Sequence, residues 1–442
     1  MKKGIGIIVL LAALVGFGPP YLNGMILEKA LFQVKDRINQ RYEESGSGIR
    51  VAIASYDRGI WSSVIEWRLD LGSLSKWFKI DSVIGVETAT HGYKGVISTT
   101  SLEKNKWFTD FLERHLNGKN PVSINTVYPL KGDIVSTVTI ERFLGDDGHF
   151  LGEVKPGQWV LTLDKELNHI ESDFTWDGLY VPVMIKIGNV RMRSGLKNVT
   201  PLIWDGQSSF FLDFLRLRQD DTWIELKNLE LKNRVDYDGE RDRVSLGMGV
   251  GVGGLSRNGE KEFEDAYLHM GINRLDARGY GQVLKIYTAM ANDLLAAVET
   301  NGLDGEQTEA FIKNQMAAKG FNIMAAAETL LKKDLEIKIS DLTARLPDGQ
   351  IEGGLTLALK KDMRLAEFIP VMMQPGRILD IFSLQSNLKV PVRLIGQNPY
   401  LTQPIYPGMQ TGLFVKAGEG FIHHAQTRDN RLFINQKEVV FE

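Results

Sequence analysis

Runs in which apolar and polar residues alternate with a period of two, parted by tight-turn residues, constrain this chain more than any other feature. Ile134, Ser136, Val138 and Ile140 alternate with Val135, Thr137, Thr139 and Glu141. Trp159, Leu161 and Leu163 alternate with Val160, Thr162 and Asp164, and Ile49, Val51 and Ile53 with Arg50, Ala52 and Ala54. Successive side chains of a strand point to opposite faces, so this period reads as half-buried β-strand. Between such runs stand Asp57-Arg58-Gly59, Asp146-Asp147-Gly148, Lys155-Pro156-Gly157, Asp238-Gly239 and Pro347-Asp348-Gly349, residue types that close tight turns. Strands joined this way pair antiparallel, one face apolar and the other wet.

The period changes twice. Met25, Leu27, Leu31, Phe32, Val34 and Ile38 recur at helical spacing over 25–44, ended by Ser45-Gly46-Ser47-Gly48. Val283, Ile286, Tyr287, Met290, Leu294 and Val298 do so over 282–300, as a stripe that packs on a sheet or serves as a lid or partner surface. Shorter Ala-rich helices are expected at 305–318 and 322–333, and part of 361–386 reads as helix. Strands return at 335–339 and 351–359, and again in the tail, ending with one over Val439–Phe441. The fold class is α+β, predominantly antiparallel β: an extended curved sheet with a helical insertion and one N-terminal transmembrane helix. The segments are a signal anchor (1–22), a membrane-proximal helix and linker (23–48), a β-rich domain (49–281), a helical segment (282–334) and a C-terminal β-rich region (335–442).

The anchor rests on Lys2 and Lys3 followed by an uncharged run to Leu22, the next charge being Glu28. Residues 4–18 as helix reach only roughly 22 Å, short of a hydrocarbon core of about 30 Å, and Pro19, Pro20, Tyr21 and Leu22 extend the run. A cleaved signal peptide is the competing reading. The stretch Val15-Gly16-Phe17-Gly18-Pro19-Pro20 lacks the small-residue pattern that cleavage needs. The positive-inside bias places the lysines in the cytoplasm and the rest of the chain in the periplasm of a bacterial inner membrane.

Composition narrows the function classes. The chain has no cysteine, which excludes disulfides, thiolate metal sites and thiol nucleophiles. Its formal net charge of −3 offers no general attraction to nucleic acid. The 44 glycines are about a tenth of the chain against a usual share of about 7%, and they point to turns and bulges.

Motifs that carry chemistry fail on setting. None of the seven histidines forms a metalloprotease pair, and adjacent His423 and His424 on a strand point to opposite faces. Asp236–Asp242 resembles a calcium loop but has Tyr237 and Ser245 where ligands are needed, so a hairpin is expected. Gly249-Val-Gly251-Val-Gly253-Gly254 matches a dinucleotide fingerprint literally but lacks its helix. It reads instead as a strand with one bare face, and Gly247, Gly249, Gly251 and Gly253 become a candidate ligand or packing surface. No catalytic, cofactor or metal site is expected, and the chain is read as a non-enzyme.

Three passages resemble the YdgA-like family of bacterial envelope proteins, a domain of unknown function. They are Gly18-Pro19-Pro20-Tyr21 with Gly24 and Glu28; the Tyr56-Asp57-Arg58-Gly59-Ile60-Trp61-Ser62-Ser63 stretch; and Gly412–Gly420 with Leu432-Phe-Ile-Asn435. The family's second motif usually has an aromatic where Ile60 stands. The resemblance implies a single inner-membrane anchor and an extracytoplasmic β-rich body, with Tyr56, Arg58, Gly59, Trp61, Ser62 and Ser63 in structural roles. From the residues alone, Asp57-Arg58-Gly59 makes a turn and Trp61 returns the strand to an apolar face. Membrane proximity, the many alternating strands and the Gly-faced strand make sheltering a lipid or other hydrophobic ligand the first functional expectation. The alternative is an envelope scaffold acting through protein contacts, including self-association, and an envelope hydrolase comes third.

Overall fold

The computed structural model describes the chain apart from residues 1, 46–47, 73–74, 76–79, 104–105, 147–150, 201, 302–304, 365, 368–374, 398 and 441–442. Of residues 2–18 and some other positions it describes the backbone alone. The turn expected at Asp147-Gly148, Phe441 of the last strand and part of the 361–386 segment thus lie outside the described residues. The chain forms two compact units, residues 1–181, 192–204 and 287–317 in the first and 182–191, 205–286 and 318–442 in the second.

The first unit opens with one helix, α1 (Lys2–Ser45), that runs through Pro19 and Pro20 without a break. The spacing predicts two consecutive helices here, over 4–22 and 25–44. Each proline removes a backbone donor from the helix interior. The turns that follow are held from outside, because Asn23, Gly24 and Leu27 are buried against the sheet. Among the described residues no helix is long and apolar enough to cross a membrane. The described residues therefore give no support to the transmembrane helix expected from the sequence.

Strands β1 (Arg50–Arg58), β2 (Ser62–Asp70), β3 (Ser82–His91) and β4 (Gly95–Leu102) form a meander. After α2 (Lys106–Leu116) it continues through β5 (Val122–Pro129), β6 (Ile134–Ile140), β7 (Phe143–Asp146), β8 (Leu151–Val154), β9 (Gly157–Leu163), β10 (His169–Trp176) and β11 (Leu179–Val181). Strand β6 pairs with β9, and the short β7–β8 hairpin lies between them in the chain. Alternation decides which face α1 covers. Ser63, Ile65, Glu87, Ala89, His91, Val96, Ser98 and Thr126 are buried, whereas Val64, Ile97 and Val127 on the other face are exposed. Leu27 meets Ile65, Ala89 and Val96 in the core, with Leu31, Ile53, Tyr56 and Tyr128 around them.

Most of the second unit is built on long antiparallel strands. After β12 (Ile185–Ile187) the chain passes through β13 (Val190–Thr200), most of which belongs to the first unit, and then come β14 (Ile203–Gln219), β15 (Thr222–Asp238), β16 (Arg243–Arg257) and β17 (Glu260–Asp276). Helices α3 (Ala277–Asn301), α4 (Gly305–Ala318) and α5 (Gly320–Leu330) follow in the chain, at the place where helical spacing replaces alternation. The sheet resumes with β18 (Glu336–Leu346), β19 (Gly349–Leu359) and, after α6 (Pro375–Ile378), β20 (Phe382–Pro391). Helices α7 (Val392–Gln397) and α8 (Pro399–Gln410) precede β21 (Val415–Ala417), β22 (Gly420–Arg428), β23 (Arg431–Ile434) and β24 (Lys437–Val439). Every described strand pairing given a register here is antiparallel, as the turns predict.

Candidate functional site

In the first unit two of the three sequence passages meet. The Tyr56 hydroxyl donates to the Gly24 carbonyl at 3.1 Å, and Arg58 pairs with Glu28 at 2.5 Å while lying over the Tyr21 ring. Asn23 donates its amide to Gly92 O at 2.5 Å. The turn that follows Arg58 closes through Gly59 N to Ser62 O at 2.7 Å. Ser63 and His91 are both fully buried beneath it. His91 Nδ1 faces Ile60 O at 3.0 Å and Nε2 faces Ser63 Oγ at 2.9 Å. A carbonyl only accepts, so Nδ1 carries the proton and Nε2 accepts from the serine hydroxyl. Gly24 is required by this arrangement, since a Cβ there would overlap the His91 ring. Trp61 is exposed at the turn; Ser63 and Ile65 are the residues that return to the core.

The chemistry of this corner is positional. A serine beside a histidine could serve nucleophilic catalysis, but that needs substrate at the serine oxygen. Both side chains lie sealed beneath α1. Nearby, Tyr128 donates to the buried carboxylate of Glu87 at 2.9 Å. Burial, reinforced by the Glu87 charge, holds the Tyr128 hydroxyl well above the ordinary value of 10.0. Burial pushes Tyr56 up as well, with Ser63 acting against it. A cleft of about 160 Å³ lies between α1 and the β4–β6 strands, lined by residues that include Ile26, Ala30, Val34, Leu130, Ile134 and Lys165.

The third passage locks the tail of the second unit. Asn435, in the left-handed region with φ of 48°, donates to Gly412 O at 2.9 Å and Leu413 O at 3.2 Å. Its side-chain oxygen accepts from His424 N at 2.9 Å. His423 sits against Phe414, bonded to Leu413 O and to Ser386 Oγ, while its neighbour His424 points to the other face as alternation requires.

The second unit's sheet separates its two faces sharply. Cross-strand partners share a face, so registers can be followed across it. One row runs Phe210, Leu231, Val250, Leu268, Leu342, Gly353, Leu388. The next runs Asn233, Met248, Met270, Ile339, Leu355, Ser386, and a third Val235, Leu246, Ile272, Ile337, Leu357, Leu384. Side chains around Val390, Ile395, Ile405 and Phe414 cover this face at its β20–β22 end. Elsewhere it is half covered: Met248 is 39% exposed, Ile272 36% and Ile337 43%, although all three lie on interior strands.

The glycines singled out from the sequence occupy the opposite face. Gly247, Gly249 and Gly251 pair with Arg234, Lys232 and Glu230 on one side and with Gly271, His269 and Tyr267 on the other. A Cβ on Gly249 would lie 3.3 Å from the Tyr267 hydroxyl and one on Gly251 3.3 Å from the Tyr267 ring, so this ring occupies the space the glycines leave. Gly253 fits against the Asn228 side chain, where a Cβ would come within 2.9 Å. A cleft of about 400 Å³ on this polar side is lined by residues that include Glu352, Asn387, Lys389 and Ile422. Gly249–Gly254 is strand, and 239–242 is a hairpin turn in which Asp238 accepts from Glu240 N and Arg241 N. Of the helical stripe, Val283 and Ile286 are half-buried and Tyr287 is 71% exposed; the Val298 side chain lies outside the described residues. Among the described residues no group of three or more His, Cys, Asp or Glu side chains is arranged to hold a metal ion.

Sequence reasoning missed the roles of His91, Glu87 and Tyr128, and it named Gly24 without its contact to His91. The spacing of β3 and β4 holds a signal for Glu87 and His91, because both fall on the face of Ala89. No curated protein and no solved structure matches the chain. A family model matches residues 1–440, and the chain belongs to that family, the bacterial proteins of unknown function DUF945.

Proposed function

We propose that this protein is an envelope protein held in a bacterial inner membrane by the start of α1, with a periplasmic sheet that shelters a lipid or another hydrophobic ligand. One observation carries the ligand reading: three rows cross β15–β20, apolar except at Asn233, Gly353 and Ser386, and at their centre Met248, Ile272 and Ile337 are only partly covered by the protein itself. Apolar area left in water forgoes about 25 cal/mol per Å², so an acyl chain laid along the rows gains what the protein's own side chains do not supply. Lys2, Lys3 and the uncharged run to Leu22 support the anchor, the absence of cysteine suits an oxidising compartment, and the YdgA-like motifs agree with both.

Photo-crosslinking tests this reading. The full chain is produced in cells fed a photoreactive fatty acid, irradiated, and the lipid-bearing peptides are mapped. Adducts within 246–272 and 337–357 are expected, lost in Leu268→Glu and kept in Lys338→Glu on the opposite face. Adducts confined to α1 would remove the ligand reading. A cross-linked dimer through the same strands, without lipid, would favour self-association, because a second copy can cover the same rows.

A further inference from the structure

The meander of the first unit gathers four turns at one end. Arg58 pairs with Ser63, Ser62 with Thr90, His91 with Val96, Val96 with Tyr128 and Ile134 with Leu163. Turns 59–61, 92–94, 130–133 and 164–168 therefore lie side by side, while the connections carrying 71–81 and α2 are at the other end. The tips of the first three turns are apolar and aromatic, with Ile60, Trp61 and Leu130 exposed and Tyr93 57% exposed, whereas the fourth carries Asp164, Lys165 and Glu166 with Leu167 buried. Lys94 and Lys131 flank them, with Asp133 the acid on the third turn.

Helix α1 reaches the sheet at this same end. Asn23 holds the carbonyl of Gly92, and Arg58 bridges Glu28 and Tyr21. On the helix, Tyr21, Leu22, Met25 and Ile26 are exposed beside these turns. The uncharged run continues to Leu27, but Pro20 is already fully buried, Tyr21 lies against Arg58 and Asn23 is bonded to the β3–β4 turn. At about 1.5 Å per residue, residues 4–19 as helix span roughly 24 Å, against a hydrocarbon core of about 30 Å. No length of chain remains for a spacer between bilayer and sheet.

We propose that these turn tips form a membrane-contact surface, seated in the headgroup layer of the bilayer that α1 enters, so that the first unit stands on the membrane rather than hanging from it. This rests on the anchoring reading. Aromatic rings with a polar edge favour the headgroup layer, which suits Tyr21, Trp61 and Tyr93. Lys94 and Lys131 lie where their stems can cross the apolar rim and their ammonium groups reach lipid phosphates.

The cysteine-free chain makes the test direct. Val9→Cys, Tyr93→Cys, Lys131→Cys and Lys119→Cys, the last at the opposite end, are each nitroxide-labelled in the full chain. Each is placed in nanodiscs of phosphatidylethanolamine and phosphatidylglycerol. Power saturation is read with oxygen, which concentrates in lipid, and with a water-soluble nickel chelate. The expected result is a deep label at position 9 and loss of nickel accessibility at 93 and 131 relative to 119. A deep label at 9 with both 93 and 131 as nickel-accessible as 119 overturns the contact surface and leaves the anchor standing. Protection of only one of the two overturns the surface as drawn. A water-exposed label at 9 removes the anchoring reading, and this inference with it.

Discussion

Replacing Gly24 by Ala isolates the contact on which the docking of α1 depends. On an exposed helix this change stabilises by about 0.8–1 kcal/mol, because alanine loses less backbone freedom on folding. Here the new Cβ falls on the His91 ring. That ring is fixed at both nitrogens, 3.0 Å from Ile60 O and 2.9 Å from Ser63 Oγ, and it is 2% exposed, so it cannot swing into solvent. Overpacking of a filled core costs about 1–3 kcal/mol. Displacing the ring far enough to break a bond adds about 1–3 kcal/mol for each buried group left unpaired. The expected net effect is a loss of about 2–4 kcal/mol, opposite in sign to the propensity gain. For a folding unit of some 200 residues it appears as a fall of roughly 5–15 °C in the calorimetric transition of the first unit. Adding His91→Ala should return part of the loss, giving a coupling of about 1–3 kcal/mol in a double-mutant cycle. An unchanged or raised transition in Gly24→Ala, or strict additivity of the pair, would refute the reasoning.

Other expectations follow from the same geometry. Tyr128→Phe leaves the buried Glu87 without its hydroxyl partner and should cost about 1–3 kcal/mol in chemical denaturation at neutral pH. Because the folded-state pKa of Tyr128 is raised, its contribution is complete below pH 10.0, the ordinary tyrosine value, and fades as pH climbs toward the folded value. Denaturation midpoints at pH 9 and 11 should therefore show a steeper fall in the wild type than in Tyr128→Phe; Tyr56, raised too, keeps the variant from becoming flat. Arg58→Met should cost no more than about 1 kcal/mol, since both members of its pair with Glu28 are partly exposed and screened; a much larger loss would show that the pair is more than a surface contact. Asn435→Ala removes three hydrogen bonds and a residue type suited to φ of 48°, so the tail after Gly412 should become protease-sensitive with about 2–3 kcal/mol lost.

Much of this was legible in residue order. The alternation at 134–140 and 159–163 appears as β6 and β9, paired with each other, and the 282–300 stripe lies within α3. Lys155-Pro156-Gly157 joins β8 to β9, and Asp238-Gly239 begins the β15–β16 hairpin. What sequence could not give is which side of β16 meets apolar neighbours. The bare face suggested a bed for a ligand, yet Arg234, Lys232 and Tyr267 sit around it, and only cross-strand register reveals that. The unbroken α1 escaped for a similar reason. Two prolines read as a boundary when the helix is considered alone, and the sheet that supports the next turns becomes apparent only in three dimensions. Likewise, Gly24 and His91 are far apart in the chain, and no local pattern announces that one needs the other.

The alternating glycines of β16 also make that strand a parity check on its neighbours β15 and β17. Deleting or inserting a single residue between Val244 and Val252 would turn Val250 and Val252 toward Lys232 and Tyr267 and leave holes opposite Leu231 and Leu268. The error would be felt by the flanking strands β15 and β17 unless a bulge absorbed it, as the register shifts at Val244/Leu246 and Leu255/Ser256 already do in the β16–β17 pairing. A single-residue length change away from those bulges should therefore destabilise the second unit more than a point substitution at Gly247, which has no neighbour closer than 3.8 Å to a new Cβ.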